Sequence, residues 1–261
     1  MLDQESAPTF AVLVVTCDKY SDLWDLFIGQ FRSYWPDCPL PKYIMTNETT
    51  AQFEGFANLR VGRDVSWSDN LSSALDLIPE DYVLLFLDDL VLKGRVNTAL
   101  LSEALAWARS VRPDHLRLNA TERPDERVDG IVGRIREGAI YRTSTVLTLW
   151  RKQALRSLLM PGESAWQFET KGSERSDSMK SFFSLYKNCF PVINCVIKGK
   201  WRRDAVRVLR AQGAMPDLSS RSVMTRREAA NFAARQLRSM LFKLVPMRYR
   251  RVVRQAMIGR R

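Results

Sequence analysis

Two adjacent carboxylates, Asp88 and Asp89, end the apolar stretch DYVLLFLDDL (81–90). The run Val83–Leu87 is typical of a buried strand, and a protein core rarely accepts an unpaired Asp. Two acids at this point repel each other unless positive charge lies beside them. A divalent cation that takes its oxygen ligands from carboxylates and phosphates meets that need.

The β-branched run FAVLVVTC (10–17) also ends in polar residues. Thr16 lies near its end, and Asp18 follows it directly. In open α/β sheets, ligands bind outside the carboxyl ends of the strands, so both strand ends are candidate site residues. The structural alternative for the acid pair is equally open from the pattern. In that case the two acids cap the following turn or pair with Lys93 or Arg95.

The segment PGESAWQFE (161–169) places two acids, Glu163 and Glu169, around the aromatic residues Trp166 and Phe168. A carboxylate within hydrogen-bond reach of a substrate hydroxyl can act as its general base. In the alternative interpretation, Glu163 is a helix-start acid favoured by the helix dipole and Trp166 belongs to the core. The residues alone do not choose between the two Glu.

The composition limits the other mechanisms. The chain has 261 residues, is 46% hydrophobic and holds a single His, His115, so acid and base chemistry falls mainly to carboxylates. Its four Cys show no CxxC pairing, which argues against structural zinc and a secreted disulfide framework. No apolar run approaches the roughly 18–20 residues that span a bilayer, and the start MLDQESAPTF lacks a signal-peptide core. We therefore expect a cytosolic protein, or one attached to the cytosolic face of a membrane.

Strands and helices alternate along the first 120 residues, which predicts an α/β fold with a mostly parallel sheet between helices. The predicted strands are 10–17, 41–46, 59–61, 82–87 and 115–118, and the predicted helices are 21–34, 68–78, 98–110, 153–159 and 204–211. Two β-rich runs within 130–149, separated by Arg136-Glu137-Gly138, predict an antiparallel hairpin inserted after this unit.

Three stretches together resemble the nucleotide-sugar-dependent glycosyltransferases of the GT-A fold. They are VVTCDKY (14–20), WSDNLSSALDLIPEDYVLLFLDD (67–89) and GESAWQFE (162–169). The likeness covers roughly residues 10–200 and is closest to bacterial transferases that build surface polysaccharides. It implies a Rossmann-like, GT-A-like domain over residues 1–203.

The family's strand-end motif, usually Asp-x-Asp, holds a Mn²⁺ or Mg²⁺ that bridges the pyrophosphate of the donor. Here the motif is Leu87-Asp88-Asp89. The resemblance assigns Asp89 to the metal-contacting final position and Asp88 to the middle position, next to the ribose and the metal. Because Leu87 stands where the first acid is usual, this departure bears on metal dependence and not on nucleotide binding.

The resemblance also implies roles for residues outside the acid pair. The donor nucleotide is held by Thr16, Asp18, Tyr20, Trp67, Asp69 and Asp88. The general base is Glu169 or Glu163, and the acceptor contacts are Trp166 and Phe168. The diphosphate leaving group is neutralised by one or more of Lys171, Arg175, Lys198, Lys200 and Arg202, for which solvated surface is the alternative. Tyr20 also fits simple packing at a helix start, and Ser68 is predicted to be a helix N-cap.

The last quarter of the chain is strongly basic. Residues 198–261 hold 18 Lys and Arg against 3 Asp and Glu, a net charge of +15, whereas the rest of the chain carries −4. Thr225 and Glu228 form a predicted capping box that opens a helix with an apolar stripe and several Arg. We therefore expect a basic helical region over 204–261 that lies on an anionic membrane. The alternatives are a helix packed back on the domain and, less favoured because the body has no basic groove, a nucleic-acid surface.

These features predict a glycosyltransferase that moves a sugar from a nucleotide-diphosphate donor to a hydroxyl of a cell-envelope glycan, itself lipid-linked in the family. One alternative is a non-catalytic membrane-associated scaffold of a polysaccharide assembly complex. Another is a sugar nucleotidyltransferase, which usually has a glycine-rich phosphate loop after its first strand. The corresponding stretch TCDKYSD (16–22) contains no glycine.

Overall fold

A nine-stranded sheet forms the centre of the structure. The computed structural model describes residues 7–120, 124–242 and 249, with 239–242 described by their backbone alone. The strands are β1 (Phe10–Val15), β2 (Lys42–Thr46), β3 (Ala57–Arg60), β4 (Tyr82–Leu87), β5 (Leu90–Leu92), β6 (His115–Arg117), β7 (Glu126–Arg127), β8 (Val132–Arg134), β9 (Thr148–Arg151), β10 (Phe182–Leu185), β11 (Val192–Asn194), β12 (Val196–Ile197) and β13 (Lys200–Trp201). The helices are α1 (Trp24–Tyr34), α2 (Trp67–Leu77), α3 (Thr98–Val111), α4 (Lys152–Leu158), α5 (Ala165–Gln167), α6 (Ser173–Arg175), α7 (Arg203–Ala211) and α8 (Arg226–Phe242).

The sheet is mostly parallel, as the sequence predicts. Its order is β3-β2-β1-β4-β9-β6-β10-β8-β7, and within it only β8 and β9 run against the other strands described. Two short antiparallel pairs, β5 with β11 and β12 with β13, lie outside it. The carboxyl ends of β1, β2, β3 and β4 therefore lie at one edge of the sheet, and the polar residues that follow these strands are brought together there.

The predicted hairpin within 130–149 is wrong. Strand β8 pairs with β7 and β10, whereas β9 is inserted between β4 and β6. The reason lies in the apolar character of β9, whose residues Leu149 and Trp150 are both fully buried. The interior of the sheet, between β4 and β6 and under helices on both faces, provides this burial for an apolar strand.

Both faces of the sheet are covered by helices. Along β1 the side chains alternate, with Val12 and Val14 in the core that contains α1 and α3, and Leu13 in the core that contains α2 and α4. This alternation is the period-two pattern of a strand, and full burial on both sides explains why the run is apolar throughout. The predicted helix over 21–34 begins later, at Trp24, after a single 3₁₀ turn.

The basic C-terminal region shares a hydrophobic cluster with the body. Ala205, Val206 and Leu209 of α7 are buried together with Leu23 and Val91. The domain boundary that we predicted after residue 203 therefore falls within this cluster. The predicted capping box is confirmed, since the hydroxyl of Thr225 accepts from the Glu228 N–H and the Glu228 carboxylate accepts from the Thr225 N–H, at 3.2 and 2.8 Å. None of the described helices combines the length and apolar character that crossing a bilayer requires.

The single histidine lies in the core. His115 is fully buried, with its ring stacked on Phe182 at 4.8 Å and edge-on to Trp150 at 4.6 Å. Burial, and then the charges of Arg117 and Arg142, hold its pKa well below the usual value. A role for His115 in acid or base catalysis is thus excluded by its position, and its imidazole is neutral in the folded protein.

This burial predicts a pH effect on stability. Below about pH 6.5 His115 is protonated in the unfolded chain and neutral in the folded protein. The free energy of unfolding therefore falls as the pH drops, by up to about 1.4 kcal/mol per pH unit. We expect the variant His115→Phe to lose this contribution. The difference in urea-unfolding free energy between the wild type and the variant should change between pH 7 and pH 5 and stay constant above pH 7. A difference that is independent of pH would contradict a neutral buried imidazole.

Candidate functional site

The two polar strand ends predicted from the sequence, at the ends of β1 and β4, lie side by side. Strand β1 pairs with β4 in parallel register, with Val15 opposite Leu87, so that Thr16 and Asp88 leave the sheet together. The Thr16 hydroxyl donates a hydrogen bond to Asp88 Oδ2 and accepts one from the Trp24 indole at 2.8 Å. Thr16 therefore orients the carboxylate of Asp88, and its hydroxyl is already occupied.

Asp88 is buried and Asp89 is half-buried at the sheet edge. Burial, together with the neighbouring charge of Asp89, raises the pKa of Asp88 to about 7, and burial raises that of Asp89 to about 6. Neither Lys93 nor Arg95 forms an ion pair with them in the part of the chain that the structure describes. The structural alternative of pairing with these two residues is not realised.

The donor set at this edge fits a hard divalent cation. Asp89 Oδ1 is buried and has no hydrogen-bond partner among the described residues, which leaves a negatively charged oxygen free to ligate. Among the described residues no group of three or more acidic, His or Cys side chains could hold a metal ion. Mg²⁺ is often bound through one or two carboxylates, with substrate phosphates and water completing its shell, and Asp88 and Asp89 are the two carboxylates at this edge.

Asp18 supports the loop that follows β2. Its carboxylate accepts hydrogen bonds from the backbone N–H groups of Asn47, Glu48 and Thr49, each at 2.9 Å, and from the Thr49 hydroxyl at 2.8 Å. Burial acts to raise the pKa of Asp18, but these hydrogen bonds outweigh it and lower the pKa. With its oxygens engaged in this way, Asp18 shapes the loop at the sheet edge.

Tyr20 packs beneath an arginine that the sequence analysis missed. The guanidinium of Arg221 lies 4.3 Å from the centre of the Tyr20 ring. It donates to both oxygens of Asp22, at 2.6 and 2.8 Å, and to the carbonyl of Lys19 at 3.0 Å. Its positive charge also acts on the two acids, where it opposes the rise in their pKa. No spacing pattern could have found it, because Arg221 lies 199 positions after Asp22.

The basic residues predicted to face the leaving group are placed elsewhere. Arg175 pairs with Glu163, Lys200 pairs with Glu228, and Arg202 pairs with Asp204. Within the described chain, Lys171 and Lys198 form no hydrogen bond or ion pair with the acids. The charge of Arg221 does reach the acid pair.

The ion pair between Arg221 and Asp22 predicts a test of its structural weight. Both side chains are only 11% exposed, so Arg221→Gln leaves a buried unpaired carboxylate and should lower the unfolding free energy by about 3 kcal/mol. The double variant Arg221→Gln with Asp22→Asn leaves no uncompensated charge and should recover most of that loss. Urea unfolding of the two variants and the wild type measures the difference. Additive losses would show that the pair does not act as a unit.

The start of α2 joins the segment that holds the two glutamates. The N-cap is Ser66, which accepts from the Asp69 N–H at 3.1 Å, and not Ser68 as predicted. Ser68 is instead buried, where its hydroxyl donates to the carbonyl of Met160 at 2.6 Å. Asp69 accepts from Ser66 and from the Gly162 N–H at 2.9 Å, so its carboxylate fastens the segment to the helix.

The half-buried ring of Trp67 packs against Phe168 at a tilt. Their rings lie 5.4 Å apart, and Phe168 is fully buried in the core against Trp150. Phe168 therefore has no exposed ring face to offer an acceptor, and we leave it out of the site. The indole Nε1 of Trp67 is a buried donor without a partner among the described residues. Trp166 is 62% exposed, so the alternative that places it in the core is wrong.

Glu163 is held by an arginine. Both of its carboxylate oxygens accept hydrogen bonds from the guanidinium of Arg175, at 3.0 and 2.6 Å, and Arg175 also donates to the carbonyl of Leu158. The side chain of Glu163 is 9% exposed. This bidentate partner occupies both oxygens, which describes a structural ion pair.

Glu169 has a different environment. Its Oε1 accepts from the N–H and the hydroxyl of Thr145, both at 2.9 Å, and Oε2 has no partner in the described structure. Glu169 lies in one π-helical turn, Phe168–Gly172, a feature that is frequent at functional sites. Thr145 comes just before β9. The N–H of Leu147, the residue that precedes this strand, donates a hydrogen bond to the carbonyl of Leu85 in β4. Glu169 therefore lies at the same edge of the sheet as the acid pair.

Comparisons with known proteins agree with the fold. No protein-family model and no curated protein sequence matches the chain. UDP-glucose pyrophosphorylase complexed with UDP-glucose is similar with a TM-score of 0.50 at 7% identity, over 79% of this chain and 98% of that chain. UTP-bound UGPase from Acinetobacter baumannii gives a TM-score of 0.47 at 11% identity, over 88% and 99%. S. aureus TarS 1–349 gives 0.44 at 14% identity, over 67% of this chain and 60% of that chain, which is less than two thirds of the TarS structure. At these identities the likeness shows a shared α/β fold.

Proposed function

We propose that the protein transfers a sugar from a nucleotide-diphosphate donor to a hydroxyl of an acceptor glycan. The observation that carries the proposal is the common sheet edge of two kinds of carboxylate. Asp88 is buried and Asp89 half-buried at the end of β4, neither forms an ion pair within the described chain, and Glu169 has one oxygen fixed and one free. Donor binding and acceptor activation require these two chemistries side by side.

The donor half of the site is preorganised by the protein itself. Thr16 holds one oxygen of Asp88, and Oδ1 of Asp89 remains available. A Mn²⁺ or Mg²⁺ held by these two acids would neutralise the diphosphate of the donor and ease its departure. The residues of the chain then do the positioning, with Asp18 shaping the loop after β2 and Arg221 adding positive charge beside the acids.

In the acceptor half, Glu169 is the proposed general base. The free Oε2 of Glu169 takes the proton of the acceptor hydroxyl while the hydroxyl oxygen forms a bond to the anomeric carbon of the donor sugar. The bond from that carbon to the phosphate oxygen breaks at the same time, and the electron pair leaves with the nucleoside diphosphate. Thr145 keeps the carboxylate oriented by two hydrogen bonds. The exposed ring of Trp166 offers an apolar face to the acceptor sugar.

We further propose a cell-envelope glycan, carried on a lipid, as the acceptor. This step rests on the resemblance to transferases of surface polysaccharides. A sugar nucleotidyltransferase would use the same acids, but its phosphate loop after the first strand is normally rich in glycine. Here the 3₁₀ turn Asp18–Leu23 fills that position.

The proposal is tested by a screen of UDP-, GDP-, TDP- and CMP-linked sugars with and without Mn²⁺. We expect one donor class to raise the melting temperature and to be hydrolysed slowly in the absence of acceptor. Release of pyrophosphate from a nucleoside triphosphate and a sugar phosphate would instead identify a nucleotidyltransferase. A protein that neither binds nor turns over any donor would be a scaffold, and the enzyme proposal would fail.

A further inference from the structure

A groove lies between α7 and α8, and its α7 side is basic. Its volume is about 810 Å³. Arg203, Arg207 and Arg210 of α7 are exposed, and their spacing of four and three residues puts them on one face of that helix. The opposite face of α7 is buried in the protein, so the helix presents its charge to the groove and to solvent.

Part of the positive charge of this region has no internal partner, because only Arg202 and Arg221 of its arginines form ion pairs within the described residues. In the described structure, Arg207 and Arg210 on α7 and Arg235 and Arg238 on α8 form no ion pair. Residues 201–242 contain nine Arg and no Lys. Guanidinium groups bind phosphate oxygens through two parallel hydrogen bonds, which a lysine cannot do. The composition therefore matches a surface that presents many phosphates.

The groove also carries apolar side chains. Val206, Ala229, Phe232 and Ala233 line it, and Leu237 on the same helix is 60% exposed. Helix α8 is exposed along most of its described length and is tied to the body at its first turn. There Glu228 pairs with Lys200 at 2.6 Å. A second contact with the body lies further along the helix, where the guanidinium of Arg202 is 5.1 Å from the centre of the Phe232 ring.

We infer that the α7–α8 groove and the exposed face of α8 bind the surface of an anionic phospholipid bilayer. The arginines contact the phosphates of the headgroups, and Phe232 and Leu237 enter the boundary with the acyl chains. Nucleic acid would satisfy the arginines equally well but would leave the exposed Leu237 without an apolar partner. The inference rests on the surface alone and is independent of the proposed sugar transfer.

The test is co-sedimentation of the full chain with vesicles. Wild-type protein is compared on phosphatidylcholine vesicles and on equimolar phosphatidylglycerol and phosphatidylcholine. We expect binding to the anionic vesicles only. The variant Arg207→Glu with Arg210→Glu should bind them about 30-fold more weakly, since each arginine near an anionic surface contributes about fivefold. The matched control is Arg63→Glu with Arg95→Glu, two exposed arginines outside the groove with the same change in net charge. It should lose less than about twofold.

A charge-neutral variant separates the bilayer from other anionic partners. Leu237→Gln should weaken vesicle binding several-fold and leave any binding to duplex DNA or RNA unchanged. Circular dichroism confirms that each variant is folded. Equal losses in the two double variants would mean that net charge alone attracts the protein, and would overturn the assignment of the groove. The proposed bilayer binding would be overturned if the wild-type protein did not bind anionic vesicles. It would also be overturned if the protein bound duplexes more tightly than vesicles at the same salt concentration.

Discussion

The variant Asp89→Asn is expected to lower the rate of sugar transfer about 10³-fold and to abolish any effect of Mn²⁺ on donor binding. Asp89 contributes the buried oxygen that no other described residue satisfies. An amide has the same shape but lacks the charge that attracts a cation. Initial rates with and without Mn²⁺, together with a thermal shift on adding the donor, measure both effects.

The matched control for this substitution is Asp37→Asn. Asp37 is exposed, and the same atoms are exchanged there without any change at the sheet edge. We expect wild-type rates from it. The Asp89 variant should also fold normally, because burial already raises the pKa of that carboxyl to about 6 and its removal relieves a desolvated charge. Full activity of Asp89→Asn would remove the acid pair from the proposed mechanism.

The variant Glu169→Gln is expected to lower kcat between about 10²- and 10⁴-fold while the KM for the donor stays near its original value. The amide oxygen still accepts the two hydrogen bonds from Thr145, so the side chain keeps its place and loses only its basicity. Steady-state kinetics with a fixed acceptor separate the two constants. A fall in donor affinity without a fall in kcat would assign Glu169 to binding.

The neighbouring acid provides the contrast. Glu163→Gln breaks a bidentate pair with Arg175, in which the Glu163 side chain is 9% and the Arg175 side chain 27% exposed. We expect it to lower the unfolding free energy by about 2 kcal/mol and to leave kcat of the folded protein nearly unchanged. If Glu163→Gln abolished turnover in a stable protein and Glu169→Gln did not, the two roles would be exchanged.

The sequence predicts the elements that repeat a local pattern. The strand Tyr82–Leu87 and the helix Thr98–Val111 were recognisable because burial imposes periods of two and 3.6 residues on the chain. The meeting of Thr16 with Asp88 also follows, since parallel strands end at a shared edge. The two candidate bases within the segment 161–169 come from the resemblance to GT-A glycosyltransferases.

What the sequence does not predict depends on distant partners. The position of β9 between β4 and β6 is a choice among strands that the local pattern does not encode. Glu163 and Glu169 look alike in the sequence, and only the arrival of Arg175 and Thr145 makes one an ion-pair member and the other a half-free acid. Arg221 belongs to no motif, and its partner Asp22 lies at the far end of the chain.

The contacts of Arg221 with Asp22 and the Tyr20 ring have a thermodynamic consequence. Arg221 lies five positions before α8 begins, and the neighbouring Ser222 and Met224 are fastened to Trp201 by backbone hydrogen bonds. Helix α8, part of the proposed lipid-binding surface, is thus joined to the ring of Tyr20 through a short span of chain. If lipid contact shifts that span, the affinities for lipid and for donor change by one common factor, because coupling between two binding equilibria is reciprocal. A membrane would then act as an effector of the donor site as well as a place of residence.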